Sequence, residues 1–147
     1  MADARCSCGA LTLTLPGPSK LVVACHCLDC QRRTGAPFSV GAFYPVDAVA
    51  ISGTPKEFTR DAASGGKVHT YFCPNCGSTI YWKADNLPSL IGVAVGTLAD
   101  PNTRPPSDRF LSSRNIIGFK LMVLSNTSSK AVWQKIQTDT IESPLCD

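Results

Sequence analysis

Eight cysteines in 147 residues fall into tight groups: Cys6-x-Cys8, Cys25-x-Cys27-x-x-Cys30 and Cys73-x-x-Cys76, with Cys146 alone near the end. Thiolates one or two residues apart present their sulfurs to a single centre, which is how a chain binds a soft divalent metal such as zinc. Disulfide frameworks spread their cysteines to staple distant loops, so the spacing predicts metal sites in preference to cystines. Cys73 and Cys76 lie in CPNCG, where backbone N–H groups face the sulfurs and Gly77 supplies the positive φ that closes the turn. This zinc knuckle provides two of four ligands. Cys6 and Cys8, predicted to share one face of an extended strand, provide the others. Cys6, Cys8, Cys73 and Cys76 then form a closed structural zinc site.

CHCLDC (25–30) is left with three thiols. Three protein ligands and one free position is the arrangement of a catalytic zinc, because water or substrate must reach the metal. Cys25 and Cys27 share one face of an extended segment, and Cys30 comes round after the two intervening residues. His26 points the other way and is read as a non-ligand. Cys146, in the tail SPLCD, is read as a free thiol.

The elements that position these groups read as mainly β, in one domain spanning 1–147. Leu11, Leu13 and Leu15 alternate with Thr12 and Thr14 in a half-buried strand that Pro16 stops. LVVAC (21–25) delivers the chain into the triple-cysteine cluster, and FSVGAFY (38–44) follows as another strand. AVAIS and KEFTR flank SGTP (52–55) as a predicted hairpin. VHTYF (68–72) and STIYW (78–82) flank the knuckle, and LIGVAVGTL (90–98) reads as a strand covered on both faces. IIGFKLMVL (116–124) and KAVWQKIQ (130–137) fit helix or strand equally.

The chain is 44% hydrophobic and 17% charged, ordinary for a globular protein. A net charge of +3, evenly spread, gives no nucleic-acid footprint. No stretch approaches the roughly 18 apolar residues of a membrane span. The start, MADARCSCGA, has no apolar signal-peptide core, so the expected compartment is the reducing cytoplasm.

Four motifs occur in order: C-x-C-G (Cys6–Gly9), C-H-C-x-x-C-x-x-x-x-G-A-P-F (Cys25–Phe38), F-C-x-x-C-G-S (Phe72–Ser78) and G-T-L-x-D-P (Gly96–Pro101). Over roughly residues 5–106 the chain resembles the glutathione-dependent formaldehyde-activating enzyme family, which includes centromere-protein-V-like proteins. The resemblance implies several coiled antiparallel β-sheets around a structural zinc on Cys6, Cys8, Cys73 and Cys76. It also implies a second zinc on Cys25, Cys27 and Cys30, and addition of glutathione to formaldehyde, a carbon–sulfur lyase reaction in the reverse sense. This sequence departs from the family in having Ala99 where an aspartate is usual, and no histidine in PPSDRFL (105–111). It also carries an insertion-like stretch, 111–129, before Lys130 and Trp133, so 107–147 is a divergent C-terminal part.

Three thiolates give the second zinc a net charge of about −1, which suits it less to polarising a carbonyl than to taking a fourth thiolate. A bound thiol would be deprotonated at neutral pH, ready to meet a small aldehyde. Arg32 and Arg33 either hold a substrate carboxylate or form a solvated basic pair, and Phe38 in GAPF is either an apolar wall of the site or part of a turn. His69 is read as an exposed histidine in preference to an acid or base, Trp82 and Trp133 as packing residues, and Asp100 as a turn cap. The leading reading is a zinc-dependent, thiol-handling enzyme that combines glutathione or a similar thiol with formaldehyde or another small aldehyde. The alternatives are a thiol-binding carrier and a structural two-zinc module without catalysis. Nothing in the sequence fixes the oligomeric state.

Overall fold

A computed structural model describes residues 2–62, 65–99 and 108–110. Three strands, β1 (Ala2–Arg5), β2 (Thr12–Leu15) and β5 (Ala50–Ser52), form a small antiparallel sheet in the order β1-β2-β5. Seven others form a large sheet: β3 (Leu21–Cys25), β4 (Ser39–Pro45), β6 (Lys56–Asp61), β7 (Lys67–Phe72), β8 (Thr79–Ala84), β9 (Leu90–Ala94) and β10 (Asp108–Phe110). Their order is β10-β3-β4-β9-β8-β7-β6. Every pairing is antiparallel except the edge pair β10–β3, which is parallel. The mainly β class expected from the alternating segments therefore holds, in two sheets. Among the described residues no helix is long and apolar enough to cross a membrane.

The two sheets share one core. Leu13 and Leu15 of β2 are buried while Thr14 is exposed, so the Leu/Thr alternation does what its period demands. They pack in one cluster with Ala4, Leu11, Val22, Ala42, Tyr44, Ile80, Tyr81, Ile91 and Val93, and the cluster includes Cys6 and Cys73. A fully buried leucine contributes about 1.5–3 kcal/mol by leaving water. On β9 the consecutive residues Ile91, Gly92 and Val93 are all buried, so both faces of that strand are covered, as its continuous apolar run predicts. The strand ends at Ala94, and Val95–Thr97 turns away as 3-10 helix.

Three local expectations are corrected. AVAIS and KEFTR do not pair as a hairpin: β5 joins β2 in the small sheet and β6 joins β7 in the large one. The chain instead bends at Gly53, at φ 98°, where it passes from one sheet to the other, and turn chemistry alone does not distinguish the two cases. Cys6 and Cys8 do not lie on a strand. They occupy the turn between β1 and β2, closed by Gly9 N–H donating to Cys6 C=O at 3.0 Å and Cys6 N–H to Leu11 C=O at 3.0 Å. Finally, Cys30 sits on a helix, α1 (Leu28–Thr34), where the sequence pattern predicts none. Residues Asp100, Lys130, Trp133 and Cys146, and the divergent segment apart from β10, lie outside the described residues.

Candidate metal centres

The N-terminal turn and the CPNCG turn are two versions of one device. In each a glycine in the left-handed region, Gly9 at φ 77° and Gly77 at φ 74°, folds the backbone back toward the first cysteine. Gly77 N–H donates to Cys73 C=O at 2.9 Å, and Cys73 N–H to Ser78 C=O at 3.0 Å. Side chains then join the turns, with Ser7 Oγ 3.0 Å from Ser78 Oγ. Cys8 Sγ lies 3.5 Å from Cys6 Sγ and 3.6 Å from Cys73 Sγ. All four sulfurs of Cys6, Cys8, Cys73 and Cys76 fall within 4.8 Å of one another. Four sulfurs bound tetrahedrally at about 2.3 Å stand about 3.8 Å apart, so the donor set fits a thiophilic ion with little movement.

The second cluster is built from a strand end, a cap and a helix. Cys25 ends β3, Cys27 is the N-cap of α1, and Cys30 lies in the first turn of the helix. Cys30 N–H donates to Cys27 Sγ at 3.4 Å, and Gln31 Nε2 donates to His26 C=O at 2.8 Å. The sulfurs of Cys25, Cys27 and Cys30 also fall within 4.8 Å of one another, and all three residues are half-buried. His26 is not a member of this group. Its ring packs against Phe38 with centroids 5.2 Å apart.

Within each cluster the neighbouring thiols push one another's protonation in opposite directions. A hydrogen bond from Cys30 holds the Cys25 thiol down to about 5, while the same bond, burial and the Cys25 charge push Cys30 far up. The Ser78 hydroxyl and N–H bring Cys76 down to about 5. The Ala10 N–H favours a Cys8 thiolate, but Cys6, Cys76 and Cys73 outweigh it and push Cys8 up to about 12. Sulfurs this close cannot all ionise unaided, and a divalent cation removes the conflict. Each cluster can therefore hold a metal ion. All seven described cysteines are free thiols, consistent with that reading.

The model of one protein family, the glutathione-dependent formaldehyde-activating enzymes, matches residues 1–113. The chain belongs to that family. The match runs beyond the last of the four motifs, Gly96–Pro101, and includes β10. A crystal structure of a Rhodobacter sphaeroides protein is similar in fold, with a TM-score of 0.55 at 20% identity, covering 73% of this chain and 98% of that one.

Among the other residues expected at the site of this formaldehyde-activating domain, Arg32 is exposed on α1 and Phe38 faces His26. Arg33 is engaged by the protein itself. Its guanidinium donates to the buried Ser39 hydroxyl and lies 4.9 Å from the centroid of the Trp82 ring. Asp29 in the first turn of α1 bonds Arg60 of β6 at 3.0 Å. His69 is more than an exposed histidine. Its Nδ1 is 2.8 Å from Glu57 Oε1, its Nε2 is 3.2 Å from Asp85 Oδ1, and Thr59 Oγ1 is 3.0 Å from Nδ1. Trp82, Asp29 and Arg60 carried no sequence signal of a link to the cysteines, since strand register and long-range pairing create that link.

Proposed function

We propose that the chain is a zinc-dependent, thiol-handling enzyme of the carbon–sulfur lyase type, acting in the cytoplasm. It joins glutathione or a similar thiol to formaldehyde or another small aldehyde. The observation that carries the reading is the unequal pair of clusters: four thiols that complete one another, and three, Cys25, Cys27 and Cys30, that form their own group. Cys6, Cys8, Cys73 and Cys76 would hold a structural zinc, with two ligands in the core and two at the surface. Cys25, Cys27 and Cys30 would hold a second zinc, which when bound lowers the pKa of an incoming thiol and offers it a fourth coordination position.

The chain's own residues prepare that position. Helix α1 brings Cys30 to Cys25, and the Cys30 N–H supports negative charge on Cys27 Sγ. Phe38 and His26 form an aromatic edge beside the cluster. Arg32, exposed on α1 two residues after Cys30, would be the cation to meet a carboxylate of the thiol substrate, since Arg33 is occupied. In the reaction the thiolate lone pair forms a bond to the carbonyl carbon. The π pair passes to oxygen, which takes up, by way of solvent, the proton that the thiol released, and gives a hydroxymethyl hemithioacetal.

Metal analysis and exchange NMR test this. The parent protein should carry two zinc ions, and should accelerate interconversion of formaldehyde and glutathione with their adduct. Two zinc ions and thiol binding without acceleration would leave the carrier reading in its place.

A further inference from the structure

We propose that Trp82, standing on a floor of Gly41 and Gly92 and carrying Arg33 on its other side, is the positioning residue that sets the geometry of the Cys25–Cys27–Cys30 centre. Helix α1 supplies Cys30 and, at its cap, Cys27, yet none of its residues is buried. A seven-residue helix has little stability of its own. Without an apolar face in the core, its place depends on side-chain anchors.

Arg33 is the anchor aimed at the cysteines. It donates to Ser39 Oγ, and Ser39 is the register partner of Cys25 across the β3–β4 pair. One bond thus ties the helix bearing Cys30 to the rung bearing Cys25. Register and the two-residue period put Cys25, Ser39, Gly41, Gly92 and Trp82 on one face of the large sheet. There the indole lies against the backbone of β4 and β9. A Cβ added at Gly41 would stand 2.6 Å from Trp82 Cζ2, and one at Gly92 would approach the ring closer still. The indole can be this low only because both positions lack a side chain. Phe43 meets its edge, with centroids 6.1 Å apart and planes at 87°. A ring fixed in height and tilt then offers its face to the Arg33 guanidinium.

This inference rests on the reading that the three-thiol cluster takes a metal, and its test separates the two. Cobalt(II) titrations under chelator competition are run on the folded parent and on Trp82→Leu, Trp82→Phe, Gly92→Ala and Arg33→Met. The parent should bind two equivalents. Trp82→Leu should weaken the three-thiol site at least tenfold and alter its d–d absorption, while the four-thiol site keeps parent affinity. Trp82→Phe should recover most of the loss, because it restores an aromatic face. Gly92→Ala and Arg33→Met, which keep the indole, should shift the same site in the same direction and carry the test if Trp82→Leu does not fold. A parent that binds one equivalent overturns the two-metal reading and this inference with it. A parent that binds two, with every folded variant within twofold at the three-thiol site or both sites weakened alike, overturns the inference alone.

Discussion

Cys25 and Cys30 pull each other's protons in opposite directions, and at the scale of single residues that antagonism is what a metal would resolve. The two clusters should respond differently when a ligand is removed. Cys73 is buried in the core and Cys76 bonds Ser78 in the same knuckle, so the four-thiol site is joined to the packing of both sheets. Cys76→Ser should cost roughly 4 kcal/mol or more, the range reached when a structural metal is lost. Cys27→Ser removes a proposed ligand but leaves a better helix cap, since a serine hydroxyl accepts from the Cys30 N–H at least as well as sulfur. Its cost should stay near 1 kcal/mol while one of two metal ions is lost. Denaturant unfolding with metal quantitation checks both. Equal destabilisation by the two variants would show that the three-thiol site is also part of the folding core.

Helix α1 and the two knuckles show what a single element contributes. The knuckles depend on a backbone that only glycine adopts readily: Gly77→Ala, at φ 74°, should lose about 1–2 kcal/mol of stability without touching a sulfur. Thermal unfolding at saturating metal measures this, and an unchanged Tm would mean that the turn relaxes. The Asp29–Arg60 pair, with side chains 40% and 25% exposed, should contribute less than about 1 kcal/mol, so Asp29→Asn should be nearly silent in stability at high salt. The sequence made the knuckle legible because CPNCG carries its geometry in five neighbouring positions, Cys73 to Gly77. It made β2 and β3 legible because Leu/Thr alternation and LVVAC report their burial directly. Helix α1 was not legible, because LDCQRRT buries no residue and so has no apolar periodicity to read. The role of Trp82 was hidden for a different reason: Gly41 and Gly92 meet it only through the register of three strands.

Across the whole molecule, β6 links the far edge of the large sheet to the second cluster, since its Arg60 reaches α1 while its Glu57 and Thr59 bond His69 of β7. Asp85, after β8, closes the group from the other side of the ring and also accepts from Lys67 N–H. Glu57 and then Asp85 raise the His69 pKa above its ordinary 6.5, while Thr59 and His69 hold Glu57 down to about 2. A histidine raised in the folded state contributes fully below pH 6.5, and its contribution is lost as pH climbs through the folded value. The carboxylate runs the other way: Glu57 contributes fully above its unfolded value of 4.5 and loses this as pH falls toward about 2. Stability from this cluster therefore peaks between the two. Metal binding to thiolates favours higher pH, which masks the alkaline loss in the parent alone. The difference between parent and His69→Gln, both at saturating metal, removes that background. It should be largest near pH 5.5 and shrink steadily toward pH 9 in thermal unfolding. A difference that stays constant across the range would mean that His69 holds β6 by neutral hydrogen bonds, with no ionic contribution from Glu57 or Asp85.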